Sequence, residues 1–361
     1  MPELADLLEA LLMDLIRQWF PNYTADLERV RQFWSGEGRY LISLTTNQAY
    51  YRQVFDDAEI LRLAPLNLQA QSQAPGINLP SLFVDWGTIS TAKYWGGTAR
   101  FDSTGGHIFI DPVASTVADG LGLSPLPCDQ PEMDAPHGVR LFKTICQKLE
   151  TDALWLRSPD MQGPLNTAGL IVNQENLLMS LIDEKAQAHA FLERVTNFII
   201  EYVGYLRQAT QGHLCGNLWP YTFFPSDLGI SFTEDLMPLL SPRLYQEFGL
   251  PCLKQLANAL GGLHIHCCGA YGQHVRNLAN ADLPIKALEF HYPATTIEEL
   301  EPLAGQVVLI PYILLNKTDR FTSVTDFYRH LIDQYGQKHR FWFACTADTP
   351  EYQDFARDYL E

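Results

Sequence analysis

Positive charge is scarce in this chain: 25 Lys and Arg stand against 42 Asp and Glu, for a formal net charge of −17. No basic cluster relieves that deficit, which excludes nucleic acid and an anionic membrane surface as main partners, because phosphate binding needs a cationic footprint. Long apolar runs are also missing, so no segment reads as a bilayer span. The apolar spacing over Met1 to Phe20 is broken by Glu3, Asp6, Glu9 and Asp14, with no basic stretch ahead of it. This predicts a helix and not a signal peptide. Neither a Gly-x-Gly-x-x-Gly turn nor a Walker A sequence is present, which removes the usual nucleotide-phosphate cradles. The seven cysteines are odd in number and lack framework spacing. Reduced thiols in a cytoplasmic protein are the expectation.

What remains is an ordinary globular composition, 47% hydrophobic and 19% charged over 361 residues. Such a length suits two domains or one large α/β barrel with insertions. No internal repeat or Pro/Gly-rich linker divides it, so a single domain over 1–361 is expected, with about 1–38 as an N-terminal helical extension. A second helical pattern covers Tyr23 to Trp34 and a β-rich run covers Arg39 to Thr45. Further strands are predicted at Leu82–Asp85, His107–Asp111, Ala153–Leu156, Leu170–Val172, His213–Asn217, Leu228–Phe232, Leu263–Cys267, Ile285–Phe290, Val307–Tyr312 and Phe341–Cys345. Helical patterns lie between many of them, most clearly at Pro136–Thr151, Ala186–Ala209, Ser241–Leu260 and Val324–Tyr335. Short apolar strands alternating with amphipathic helices predict parallel βα units. A closed (β/α)8 TIM barrel with loop insertions is the first expectation, and an open doubly wound sheet the second.

Chemistry concentrates in Leu263-His264-Ile265-His266-Cys267-Cys268-Gly269. Period-two alternation puts His266 and Cys268 on one strand face, with His264 in phase below them and Cys267 on the opposite face. An imidazole and a thiolate so placed suit Zn²⁺ if further ligands arrive from elsewhere, although His and Cys also fill cores without binding anything. A barrel gathers its chemistry at strand carboxyl ends. Three predicted strands end at His266/Cys268, at Glu289/His291 and at Cys345, so His266, Cys268, Glu289 and Cys345 would complete a tetrahedral shell. His264 is expected to fill the interior or to orient His266, and Cys267 to pack.

The order His-x-Cys, Glu289, Cys345, with the tail Cys345 to Pro350 (CTADTP), resembles the zinc methyltransferases of the uroporphyrinogen decarboxylase superfamily. Gly163-Pro164, Asp235 ahead of Leu240-Ser241-Pro242, and Tyr245-Gln246-Glu247-Phe248 with Pro251 are similar to that superfamily, from roughly residue 140 onward. The resemblance implies a barrel, zinc, a methylated corrinoid protein as methyl donor and a small thiol, coenzyme M-like, as acceptor. It also implies that Glu289 acts as an exchangeable ligand and that such barrels often form homodimers. Asp85, Asp235 and His291 become candidate substrate contacts. Decarboxylase proper carries paired arginines in an Arg-x-x-Gly-Arg-Tyr motif. Here the motif reads Ser35-Gly36-Glu37-Gly38-Arg39-Tyr40, so Arg39 alone survives and a polyanionic substrate would be poorly held. A cofactor-free decarboxylase with a cationic cleft at Arg39, and a non-catalytic zinc or corrinoid-binding module, are the competing readings. Cobalamin-independent methionine synthase uses a similar zinc set in a much larger chain.

Overall fold

The computed structural model describes residues 14–45, 49–51, 54–74, 76–101, 108–216, 222–346 and 349–359. Its centre is a parallel six-stranded sheet in the order β1 (Tyr40–Thr45), β13 (Arg340–Thr346), β12 (Val308–Ile313), β11 (Ile285–Tyr292), β10 (Leu263–His266), β9 (Ile230–Thr233). A second sheet orders β2 (Ala49–Tyr51), β3 (Ser81–Asp85), β6 (Trp155–Arg157), β7 (Leu214–Gly216) and β8 (Phe224–Pro225), with only β8 antiparallel. Isolated parallel bridges at Ser43–Ile77 and Gln162–Thr233 link segments bordering the two sheets. Among the described residues the ladder is not continuous around a closed ring. The alternation of strand and helix holds, and closure into a barrel is not shown.

The prediction of buried parallel strands succeeds best in the last third, where β10 to β13 lie within two residues of the expected ranges. Two expectations fail. Leu170–Val172 is no strand: Gly163-Pro164 opens a helix over Pro164–Ile171, where the ring at N1 is favoured, and a short apolar run does not by itself separate strand from buried helix. The strand expected at His107–Asp111 is β5 (Ile108–Ile110), which pairs antiparallel with β4 (Ala99–Phe101) as a hairpin outside the parallel sheets. His107 lies outside the described residues, as do Asn217 and the first 13 residues of the expected N-terminal helix.

Two short helices, Leu15–Trp19 and Tyr23–Ser35, precede β1. The second delivers Trp34 into the core, where it stacks on Trp342 of β13 with ring centroids 5.1 Å apart and donates its indole N–H to the Phe223 carbonyl at 3.0 Å. The predicted helix Ser241–Leu260 widens into a π turn over Tyr245–Gly249, just ahead of Pro251, whose missing N–H cannot bond the preceding turn. Among the described residues no helix is long and apolar enough to cross a membrane.

Gly138 offers a test of this packing. It lies inside the helix Asp134–Lys148, where alanine would gain about 1 kcal/mol in propensity. An added Cβ, however, would stand 2.4 Å from Cη2 of the buried Trp86 ring, which cannot swing aside as a flexible chain end does. Overpacking of this kind costs about 1–3 kcal/mol, so Gly138→Ala is expected to lower stability despite the better helix former. Chemical denaturation checks it, and a rise in stability would refute the account.

Candidate metal centre

Strand register builds the site. In the parallel pairing of β9 with β10, Ser231 lies beside His264 and Thr233 beside His266. In that of β10 with β11, His264 lies beside Ala287 and Ile265 beside Leu288. Because side chains alternate faces, residues 231 and 233 share the inner face with 264 and 266 and with 287, 289 and 291. Continuing the β10–β11 register by one residue places Thr233, His266 and Glu289 in one row, with His291 further along β11 and Asp235 and Cys268 in the segments that follow β9 and β10.

These side chains interact. Glu289 is fully buried, with Oε2 accepting from His266 Nδ1 at 2.7 Å and Oε1 accepting from His291 Nε2 at 3.1 Å. Burial works against its charge, yet the two imidazoles outweigh that and hold Glu289 below the ordinary carboxylate range. Burial likewise opposes a charged His266, but the neighbouring carboxylate and the hydrogen bonds to Cys268 and Glu289 raise it well above its usual value. Asp235 is the exposed counterpart: its Oδ1 accepts from the Cys268 backbone N–H at 2.9 Å and from the Cys268 thiol at 3.1 Å, and lies 4.0 Å from His266 Nε2.

Two groups of donor atoms result, each with its atoms within 4.8 Å of one another: Asp235, His266 and Cys268, and His266, Glu289 and His291. They share His266 but differ in exposure. The Asp235 side chain is 39% exposed against 0% for Glu289, so solvent reaches the carboxylate of the first group and not that of the second. An ionised carboxylate only accepts, so the 2.7 Å contact puts a proton on His266 Nδ1, and a metal at this ring would bind Nε2 once that nitrogen has given up its own proton. A His held by a carboxylate on one nitrogen, with the other turned toward a thiol and a second carboxylate, is the arrangement in which a deprotonated Nε2 binds a metal, and the donor set of imidazole, thiolate and carboxylate suits zinc.

With that geometry in hand, the comparisons with known proteins become informative. No family model matches the chain. Over 112 residues it is 30% identical to a methylated-thiol–coenzyme M methyltransferase of Methanosarcina mazei, a match covering 31% of this chain and 27% of that protein. A solved methyltransferase structure from Methanosarcina mazei superposes with a TM-score of 0.64 at 14% identity, covering 92% of this chain and 98% of that one. The chain is similar over that segment to a coenzyme M methyltransferase and in fold to a solved methyltransferase. The structural likeness carries the fold, and the short sequence match spans about a quarter of the curated relative. A putative vitamin-B12 independent methionine synthase from Listeria monocytogenes aligns more loosely, with a TM-score of 0.47 at 11% identity over 84% of this chain and 86% of that one.

Of the candidate site residues singled out in the sequence, the structure unites His266, Cys268, Glu289, Asp235 and His291. Cys345 stands outside both groups. Continuing the pairing of Leu309 with Phe341 places Trp342 beside Ile310 on the inner face, so Phe343 and Cys345 fall on the outer one. Phe343 accordingly packs on Tyr328 and Phe355 of the helices Val324–Tyr335 and Pro350–Tyr359, and the thiol of Cys345 is raised by burial beside Glu351. Arg39 sits at the amino end of β1, where its guanidinium donates to the Gly336 carbonyl, on the rim opposite the candidate centre. Cys267 is buried on the face away from both groups. His264 fills the interior between Trp34, Phe224 and Ser231, where burial pushes it down to about 3 and keeps it neutral.

Asp85 ends β3 as expected and is buried, accepting from the Gly87 N–H at 2.9 Å. Sequence reasoning missed its neighbour Asp160. That carboxyl accepts from Gln162 at 3.2 Å and Thr233 at 3.4 Å, and burial together with the charge of Asp85 pushes it up to about 7. Only its place just after β6, at a strand carboxyl end, could have signalled it.

Proposed function

We propose that this chain is a zinc-dependent methyltransferase that moves a methyl group from a methylated corrinoid protein to a small thiol, with His266 and Cys268 as the corner that holds the metal. The observation supporting this reading is the 2.7 Å hydrogen bond from His266 Nδ1 to the buried Glu289, which pre-orients Nε2 toward the open side where Cys268 lies. When bound there, zinc would supply a Lewis acid that lets a substrate thiol, with an ordinary pKa of roughly 8.5 and so mostly protonated at neutral pH, be presented as a thiolate.

The chain's own residues do the rest. Glu289 keeps the proton on Nδ1 and fixes the ring plane, and His291 on its other oxygen stops the carboxylate from turning. Tyr312 packs against His291 with ring centroids 4.6 Å apart and limits that imidazole in turn. Cys268 and Asp235 face the opening and define where the acceptor sulfur arrives. Asp85 and Asp160 border it as candidate contacts for the rest of the acceptor. The sulfur gains the methyl carbon while the electron pair of the broken carbon–cobalt bond stays on the corrinoid. A decarboxylase reading needs Arg39 at the site, and Arg39 lies at the other end of the strands.

Protein loaded with one equivalent of zinc is expected to methylate a thiol from methylcobalamin, with coenzyme M, the acceptor named for the relative, tried first. Chelation should remove the activity and zinc restore it, followed by the visible spectrum of the corrinoid. Failure of the zinc-loaded protein to methylate any of a panel of thiols, with free or protein-bound methylcorrinoid, would overturn the proposal.

A further inference from the structure

The geometry points to Asp235 as the third protein ligand of the metal, in place of Cys345, so that the protein contributes a single sulfur. This rests on the metal-dependent reading above and departs from the ligand set that the superfamily resemblance implies. Three observations carry it. Asp235 lies in the turn that follows β9, and its Oδ1 accepts from the backbone N–H of Cys268, just after β10, at 2.9 Å. Its Oδ1 lies 3.1 Å from Cys268 Sγ and 4.0 Å from His266 Nε2. Donor atoms on one tetrahedral zinc ion stand about 3.3–3.5 Å apart, given zinc–ligand bonds of roughly 2.0–2.3 Å, so these separations bracket the required value.

Cys345, by contrast, lies on the outer face of β13 and in neither donor group. Bringing its sulfur inward would turn the end of the strand against its period, away from a packing surface that includes Phe343, Tyr328 and Phe355. Glu289 also changes role. With both oxygens occupied by imidazoles and no exposure, it is a positioning residue acting through His266, and Asp235 is the carboxylate that meets the metal. Asp235 Oδ1 has two lone pairs, so it can keep the Cys268 backbone N–H on one while the other ligates. Three protein ligands and one solvent-facing position match the open shell of a catalytic site.

Zinc-edge X-ray absorption on the full chain without added thiol tests this. One sulfur per zinc, with nitrogen and oxygen making up the remainder, is the expected result. Cys345→Ser should keep both the zinc equivalent and the sulfur count. Asp235→Asn, with folding checked by circular dichroism, should weaken zinc binding by more than the roughly 10–100-fold that loss of an outer contact costs. Two sulfurs per zinc, one of them lost in Cys345→Ser, would overturn the assignment while leaving the methyltransferase reading intact. So would an Asp235→Asn protein with unchanged affinity and edge spectrum. A wild-type chain that takes up neither zinc nor cobalt(II) overturns both.

Discussion

Cys268→Ser is expected to empty the metal centre without unfolding the protein. Serine is a poor zinc ligand at neutral pH because its hydroxyl stays protonated, whereas a thiol gives up its proton to the metal. Zinc content should fall from about one equivalent to near zero, and thiol methylation to background. Cys268 is exposed and its side chain's hydrogen bonds, to Asp235 and His266, are ones a serine hydroxyl can also make, so the metal-free stability should change by no more than about 0.5 kcal/mol. That pairing of outcomes is diagnostic, because a merely structural cysteine would move stability first. Metal analysis and thermal unfolding of the same preparations decide it. Full zinc content with undiminished transfer in the variant would remove His266 and Cys268 from the mechanism.

Glu289→Gln should behave in the opposite way, losing stability and metal affinity together. The carboxylate accepts from two imidazoles while fully buried. An amide offers one oxygen, and its NH2 group would face an imidazole N–H, leaving a buried donor without a partner. Breaking a buried charged contact in this way costs about 3–5 kcal/mol. Zinc affinity should drop by roughly 10–100-fold as His266 loses its orientation and its preferred tautomer. Denaturant titration of the metal-free protein and zinc titration with a competing chelator measure the two effects separately. Unchanged stability would show that the Glu289 contacts are dispensable. A loss of zinc as complete as in Cys268→Ser would place Glu289 among the ligands themselves.

Local pattern carried much of this far. Alternation of short apolar strands and amphipathic helices located β10 to β13 closely, because strands buried on both faces read as near-continuous apolar runs. The same alternation separated His266 and Cys268 from Cys267. Applied to β13, it would also have shown Cys345 out of phase with Trp342, a signal present in the sequence and overridden by the order of residues along it. The run at Leu170–Val172 misled because three apolar residues have too little length to reveal a period, and the proline at 164 that starts its helix lies six residues upstream. Asp160 had no pattern at all. A lone aspartate in a loop acquires significance only from Asp85 and Thr233, which are distant in sequence.

By itself, then, the sequence determined which residues of each strand share a face, since backbone pleating imposes period two wherever a strand forms. It also determined the kinds of donor available to a metal. Only the tertiary structure decided which donors meet. Register between neighbouring strands is set by hydrogen bonding and core packing across segments far apart in the chain, and no local pattern encodes it. That register set Glu289 behind His266, left Cys345 on the far face and put Arg39 at the opposite rim, while the segments after β9 and β10 brought Asp235 to Cys268.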